Sequence, residues 1–357
     1  KTYDDTYTAS ADITEGEYVS PGMNGNFQHE GKFYTDYDNI DEAKAAAREV
    51  AIRIAAEGDV LLKNENDALP LSKDETKFTL LGIRSARMVR SGFGSGSGGG
   101  SAISTLLGDS LENAGYSVNR KVLDMYTNQV TQMREDNITD PDPDEYGQSI
   151  ISTYNAYNDA AIITLSRTGA ENYDIAMHDA PGHSDPDDHG LQLMDNEAKL
   201  IKHAKKYFDK VIVLINSSNI LQIPELAEPK TADNYGVDAI LWVGGVGQYG
   251  AEAIPYLLNG TVSPSGHTVD VWEKDFTKSP VWTNFGLNSQ NKDKGGVRQN
   301  TFFYTEDGEM TQFANLEYRE GIYPGFRFYE TAYADAVGDE AKKEAYSNVL
   351  YPFGYGL

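Results

Sequence analysis

This 357-residue chain has no cysteine, so disulfide bonds, thiolate metal ligands and cysteine nucleophiles are excluded. Positive charge is also scarce: 30 lysine and arginine residues face 55 aspartate and glutamate residues, for a formal net charge of −25. Such a chain repels phosphates, so we expect no nucleic-acid partner and no binding to anionic membranes. No apolar run approaches the roughly 18 residues that span a bilayer, and no signal-peptide core is present.

Aromatic side chains are plentiful, with 23 tyrosines, 13 phenylalanines and three tryptophans. Aromatic, amide and carboxylate groups together suit carbohydrate recognition, although most tyrosines in a protein of this size serve packing. The length allows one large domain or two ordinary ones.

Apolar runs alternate with helical patterns through the middle of the chain. We expect strands at 60–64, 78–83, 116–119, 160–165, 211–216 and 239–243, and helices at 41–56, 102–114, 121–134, 196–208 and 251–258. Strands separated by helices imply parallel units with right-handed crossovers. The pattern therefore predicts one doubly wound, mostly parallel α/β sandwich over residues 41–272, after an extended arm at 1–40 and before an irregular C-terminal segment at 273–357. Asp41 is the predicted N-cap of the first helix.

The stretch 166–174, which reads SRTGAENYD, is the leading functional candidate. It follows a short apolar run at 160–165 that is typical of a strand buried on both faces. Open α/β sheets place functional groups in loops at the carboxyl ends of their strands. Glu171 is therefore the candidate for chemistry, and a solvated loop carboxylate is the plainer interpretation.

Three other patterns point to ligands less specifically. Gly94, Gly96 and Gly99 match the dinucleotide spacing G-x-G-x-x-G, but they come about ten residues after the strand and no Gly-Lys-Ser/Thr follows. The acidic run at 136–145 resembles half of a calcium loop without its glycine or closing glutamate, so we interpret it as an acidic surface loop. The histidines and aspartates at 178–189 fit no metal-ligand spacing. We therefore expect neither a cofactor nor a metal, and we interpret the long 175–195 loop as a lid or binding wall.

Four separated segments carry longer motifs. They are EGDVLLKNE with a following LPL at 57–71, NGTVSPSGHT at 259–268, EYREGIYPGFRFY at 317–329 and YPFGYGL at 351–357. In this order they resemble the α/β sandwich domain of family-3 glycoside hydrolases, the β-glucosidase family. The resemblance covers about residues 45–357 and is more specific than any of the local spacings.

The resemblance implies an active site between two domains. A barrel supplies an aspartate nucleophile, and the sandwich supplies a glutamate as general acid/base from a loop like SR-x-x-GEG-x-D. Ser166, Arg167, Glu171 and Asp174 match that loop, so Glu171 falls on the acid/base. Ala170 and Asn172 stand where the family usually has glycines, so the resemblance implies a stiffer backbone on either side of Glu171. Arg167, Asp174 and His189 are the residues expected to bind substrate or position the loop, with an Arg167–Asp174 pair as one arrangement.

No barrel pattern is visible in this chain. The stretches at 92–119 and 318–357 resemble the rearranged members of the family, in which the sandwich precedes the barrel. We therefore expect a truncated domain that is inactive by itself. The implied partners are an oligosaccharide or aryl β-glycoside and the barrel of the same polypeptide; self-association stays open. The composition fits a bacterial cytoplasm or an enzyme anchored outside the cell through a segment before Lys1. The rival interpretations are a carbohydrate-binding module, a nucleotide-dependent enzyme and a non-catalytic interaction domain.

Overall fold

The computed structural model describes residues 37–92, 105–130, 138–169, 175–229, 235–282, 302–304, 307, 310–314 and 318–357. Two compact units divide the chain, Lys1–Val50 and Ala51–Leu357. Helix α1, Ile40–Gly58, begins in the first unit. Its N-cap is Asn39, whose side-chain oxygen accepts the backbone N–H groups of Asp41 and Glu42 at 3.1 and 3.0 Å. The prediction that Asp41 caps this helix is wrong, because the amide of Asn39 already serves those donors.

A six-stranded sheet forms the centre of the second unit. Its strands are β1 (Val60–Asn64), β2 (Lys77–Leu81), β3 (Ser117–Val118), β4 (Ala160–Leu165), β5 (Val211–Ile215) and β6 (Ala239–Trp242). Their spatial order is β1-β6-β5-β4-β2-β3; β1 is antiparallel to β6, and the other neighbours are parallel. All residues of β4 and β5 are buried, as their unbroken apolar sequences predict for central parallel strands. The predicted α/β fold with a mostly parallel sheet is confirmed.

Helices and short turns connect the strands. They are α2 (Ile83–Ala86), α3 (Leu107–Asn113), α4 (Arg120–Val130), α5 (Gln148–Ile151), α6 (Asp195–Tyr207), α7 (Pro224–Ala227) and α8 (Ile254–Leu258). After β2 the chain forms β3 at one edge of the sheet, then returns past β2 to form β4 on its other side. This reversal makes the space between β2 and β4 the topological switch point, where doubly wound sheets open a crevice at the carboxyl ends of their strands.

The C-terminal segment is more regular than the predicted irregular excursion. It contains β7 (Trp272–Glu273), β8 (Phe302–Tyr304), β9 (Met310–Ala314), α9 (Phe326–Asp335), α10 (Asp339–Ala345) and β10 (Val349–Tyr351). Strand β10 pairs antiparallel with β7. Trp272 is fully buried and joins the main core together with Tyr351. Among the described residues, no helix has both the length and the apolar character that crossing a membrane requires.

Candidate active site

The residues after β4 are fixed before the candidate loop begins. The hydroxyl of Ser166 donates to the carbonyl oxygen of Asn216 at 2.6 Å, and the hydroxyl of Ser217 donates to the carbonyl oxygen of Arg167 at 3.2 Å. Asn216 and Ser217 directly follow β5, the parallel neighbour of β4. The loop that carries Glu171 therefore starts from a rigid point at the carboxyl edge of the sheet.

Arg167 is buried and its guanidinium group is fully bonded. Nη1 and Nη2 donate to the two carboxylate oxygens of Glu197 at 2.8 and 2.7 Å. The remaining donors reach the carbonyl oxygens of Gly190, Ser166 and Gln192. These contacts use all five N–H groups that an arginine offers. They connect the end of β4 to the 175–194 loop and to the first turn of α6.

Among the described residues, Glu197 is the ion-pair partner of Arg167, and the alternative partner Asp174 lies outside them. Glu197 is itself fixed, since its carboxylate also accepts the backbone N–H of Met194 at 2.8 Å in a capping interaction. Both side chains are about 5% exposed, so removing either partner would leave an uncompensated buried charge. Glu171 and Asp174 lie outside the described residues.

Asp140 is buried beside the carboxyl end of β2, at the same edge of the sheet. Its interpretation as part of an acidic surface loop is therefore wrong. Its side chain is buried and accepts the backbone N–H of Ile83 at 2.6 Å, at the turn after β2. Its carbonyl oxygen accepts the side-chain amide of Asn196 at 2.8 Å. Burial, followed by the nearby Glu197 carboxylate, raises the pKa of Asp140 to about 7. Asp144 and Glu145 are exposed, as predicted for this run, and the half-buried Asp142 pairs with Lys199.

His189 is buried and holds the far end of the 175–194 loop. Its Nδ1 accepts the backbone N–H of Leu191 at 3.3 Å, which assigns the proton to Nε2, 3.2 Å from Oε1 of Gln222. Phe276 and Trp282 contact the ring at centroid distances of 6.0 and 5.4 Å. Burial lowers the pKa of His189, which keeps the ring neutral. Both ring nitrogens are used within the protein, an arrangement that suits loop positioning.

A segment that the sequence analysis did not identify crosses this edge. Residues 88–92, here called the edge strap, follow α2 and lead toward the glycine-rich run. The side-chain amide of Asn216 makes two hydrogen bonds with the backbone of Val89 in the strap. Its oxygen accepts the N–H of Val89, and its NH₂ group donates to the carbonyl oxygen of Val89 at 2.9 Å. The same amide also donates to the carbonyl oxygen of Gly244 at 2.6 Å. At the end of the strap, a Cβ on Gly92 would lie 3.2 Å from the carbonyl oxygen of Gly169.

The edge strap also contacts the loop after β6. The N–H groups of Val246 and Gly247 donate to the carbonyl oxygens of Val89 and Arg90 at 3.2 and 2.9 Å. The strap therefore connects the loops that follow β4, β5 and β6. In the described part of the chain, no three histidine, aspartate or glutamate side chains come together as metal ligands.

This geometry can be compared with known proteins. The family model described as the glycosyl hydrolase family 3 C-terminal domain matches residues 59–357. The chain belongs to this family. A β-glucosidase from Ruminococcus albus is 26% identical over 325 residues, which cover 87% of this chain and 28% of that protein. β-Glucosidase A from Butyrivibrio fibrisolvens is 28% identical over the same length, 87% of this chain and 34% of the relative.

Solved structures agree with the family 3 assignment. β-Glucosidase 3B from Thermotoga neapolitana in complex with glycerol superposes with a TM-score of 0.62 at 26% identity, covering 91% of this chain and 39% of that one. A β-glucosidase from Paenibacillus barengoltzii gives 0.63 at 25% identity, with 87% and 29% covered. This family 3 domain thus spans 28–39% of the length of these longer relatives.

Proposed function

We propose that this chain is the sandwich domain of a retaining β-glucosidase-like hydrolase, and that Glu171 supplies the general acid/base. The observation that carries the proposal is the anchoring of the loop after β4. Ser166 and Arg167 are held by Asn216, Ser217 and Glu197 at the switch point of a family 3 sheet. Glu171 follows four residues after Arg167, within a stretch that matches the acid/base loop of the family.

The reaction would use two carboxyl groups. An aspartate of a barrel domain elsewhere in the polypeptide attacks the anomeric carbon, while protonated Glu171 donates its proton to the departing glycosidic oxygen. The glycosyl–enzyme ester is then hydrolysed by water that Glu171, now ionised, deprotonates. Retention of configuration by this route needs carboxyl groups about 5–5.5 Å apart. The expected substrates are glycosides with a terminal, non-reducing β-D-glucosyl unit.

Glu171 must be protonated near neutral pH to act as the acid. A neighbouring cation would favour its ionised form and oppose this role. Arg167 is the cationic residue of the matched loop 166–174, and all of its donors are taken by Glu197 and three carbonyl oxygens. This arrangement supports the proposal, because it allows burial in a closed site to raise the pKa of Glu171.

The test uses the full-length parent and an aryl β-glucoside with a good leaving group. Glu171→Gln should slow turnover by roughly 10²–10⁴-fold, the usual contribution of general acid/base catalysis. Azide should restore the rate and give the β-glycosyl azide, because azide attacks the glycosyl–enzyme without needing a base. Asp74→Asn, at an exposed aspartate before the start of β2 and away from this edge, is the matched control and should leave turnover within about twofold.

Unchanged turnover in Glu171→Gln would remove this residue from the mechanism. The domain would then be a carbohydrate-binding or interaction module, or the acid would lie among the carboxylates at 185–188. Measuring Asp187→Asn and Asp188→Asn beside Asp185→Asn separates these two outcomes.

A further inference from the structure

A groove of about 460 Å³ opens on the same edge of the sheet, beside β6 and β1. Strand β1 is antiparallel to β6, so Val60, where β1 starts, pairs with Trp242, where β6 ends. The groove runs between the end of α1 and the loop after β6. Its principal lining residues are Asp59, Trp242, Val246, Tyr249, His267 and Val269. This volume is within the range of small-molecule sites in proteins.

Asp59 is the unusual member of this lining. It is only 7% exposed, yet no hydrogen bond or ion pair among the described residues involves its carboxyl group. Its backbone is already used, since its N–H donates to the carbonyl oxygen of Ala55 at 2.9 Å and its own carbonyl oxygen accepts the N–H of Gly266 at 3.2 Å. The carboxyl group is therefore the part of Asp59 that is available to bind a ligand. A nearly buried polar group without a protein partner is costly, and a hydrogen-bonding ligand in the groove would offset that cost.

The lining selects the chemistry of the ligand. It contains no lysine or arginine, and the chain carries a net charge of −25, so phosphates and carboxylates are disfavoured. The apolar and aromatic walls suit the C–H faces of a sugar ring, and a carboxyl group suits its hydroxyls. Burial also raises the pKa of Asp59, and a protonated carboxyl can both donate to and accept from a hydroxyl. A neutral polyhydroxyl ligand can therefore hydrogen-bond to the carboxyl group of Asp59 whether that group is protonated or ionised.

The position of the groove relates it to the proposed reaction. The loop of Glu171 leaves β4, and the groove begins two strands further along the sheet, at β6. Two strand spacings amount to about 10 Å, so the groove lies on the same edge of the sheet, roughly that far from the end of β4. The loop after β6 and the loop after β4 are also connected through the edge strap.

We propose that this groove is a subsite for the leaving-group end of an oligosaccharide, in which Asp59 hydrogen-bonds sugar hydroxyls. The inference rests on the proposed function and adds that the preferred substrates are oligosaccharides longer than a simple aryl glucoside. Asp59 is a specificity-determining residue here and takes no part in proton transfer at the scissile bond.

The experiment compares Asp59→Ala and Asp59→Asn with the parent, all as full-length protein. Two substrates are used. One is an aryl β-glucoside, and the other is either cellotetraose or laminaritetraose, whichever the parent hydrolyses faster. We expect kcat/KM for the tetrasaccharide to fall by about tenfold in Asp59→Ala, as the loss of a buried hydrogen bond predicts, with the aryl glucoside changed by less than about twofold. Asp59→Asn, which can still bond hydroxyls, should lie between. Asp74→Asn, an exposed aspartate near the opposite end of β2, is the matched control and should change neither substrate.

Direct binding supplies a second readout. Tetrasaccharide affinity, measured by calorimetry on the inactive Glu171→Gln background, should weaken by a similar factor when Asp59→Ala is added. The subsite would be overturned if Asp59→Ala lowered kcat/KM equally for both substrates, or lowered it for neither. It would also be overturned if the groove bound n-butylammonium through Asp59 while the kinetics with the tetrasaccharide stayed unchanged. Failure of the proposed function is distinguishable, because it appears as an unaffected Glu171→Gln variant whatever Asp59 does.

Discussion

At the scale of single residues, Arg167 donates every N–H of its guanidinium group to Glu197 and to three carbonyl oxygens at the sheet edge. The loop motif identified Arg167 as a positioning candidate from the sequence. Its partner could not be identified in the same way, because Glu197 is 30 residues away and resembles any acidic residue in the first turn of a helix. Long-range pairs of this kind depend on tertiary structure, which local patterns do not contain.

Asp140 gives a pH prediction at this scale. Its pKa is about 7 in the folded protein and 3.8 in the reference state, so between these values the folded chain holds a proton that the unfolded chain has released. The contribution of Asp140 to stability is therefore present at low pH and is lost as pH rises from about 4 to about 7. The Asp140→Asn variant cannot ionise at this position, so it does not lose this stability. Its free energy of unfolding relative to that of the wild type should therefore increase as pH rises from about 4 to about 7, by at most about 1.4 kcal/mol per pH unit.

Urea denaturation of the 357-residue chain at several pH values measures this difference. Asp142→Asn is the control, since the hydrogen bond of Asp142 with Lys199 lowers the pKa of its carboxyl group below 3.8. The difference between that variant and the wild type should stay constant above about pH 4, because Asp142 is ionised in both states there. A constant difference for Asp140→Asn as well would contradict an uncharged Asp140 in the folded protein below pH 7.

At the scale of elements, the sheet could be largely predicted and the C-terminal segment could not. β1 and β4 have the predicted limits and β5 and β6 differ by one residue, because short apolar runs bounded by polar residues have few other solutions in an α/β chain. The predicted helix at 251–258 is instead a short 3-10 turn at Gly250–Glu252 followed by α8, with Pro255 in the first turn of that helix. Helix α9 was missed because its sequence, FRFYETAYAD, is rich in aromatic residues, whose intrinsic helix propensity is modest.

The edge strap was also missed, since residues 88–92 have no periodicity and are fixed only by contacts with other loops. Gly245 tests its role. A Cβ at this position would lie 2.8 Å from the carbonyl oxygen of Arg90, a backbone atom that no rotamer change can move. Gly245→Ala should therefore displace the strap and destabilise the chain by about 1–3 kcal/mol. If the proposed function holds, it should also lower kcat/KM of the full-length parent for an aryl β-glucoside.

Gly147→Ala is the matched control for the strap experiment. Its Cβ would meet only the hydroxyl of Ser149, at an ordinary distance of 3.8 Å, so urea midpoint and kinetics should stay close to wild type. If Gly245→Ala behaves like this control, the strap does not determine the geometry of the edge.

At the scale of the whole molecule, the proposed domain limit at residue 272 can be tested at β7 and β10. A sandwich that ended at residue 272 would stop within β7, at Trp272, whose fully buried ring packs against Trp242 and Tyr351 at centroid distances of 5.2 and 6.0 Å. The next residue, Glu273, is also tied to the C-terminal segment, because the hydroxyl of Tyr329 donates to it at 2.7 Å. We therefore propose that β10 and α9 are structural parts of the sandwich rather than accessories to it.

Tyr351→Ala tests this view. Removing the ring leaves a cavity beside Trp272 in the main core, so we expect a loss of about 3 kcal/mol in the free energy of unfolding and a red shift of tryptophan emission. Phe353→Ala is the matched control from the same segment, since that ring is 50% exposed and stacks on Phe326. It should cost less than about 1 kcal/mol and leave the emission unchanged. Equal, small effects of the two substitutions would mean that the core does not depend on β10, and a chain ending at residue 272 would then be expected to fold by itself.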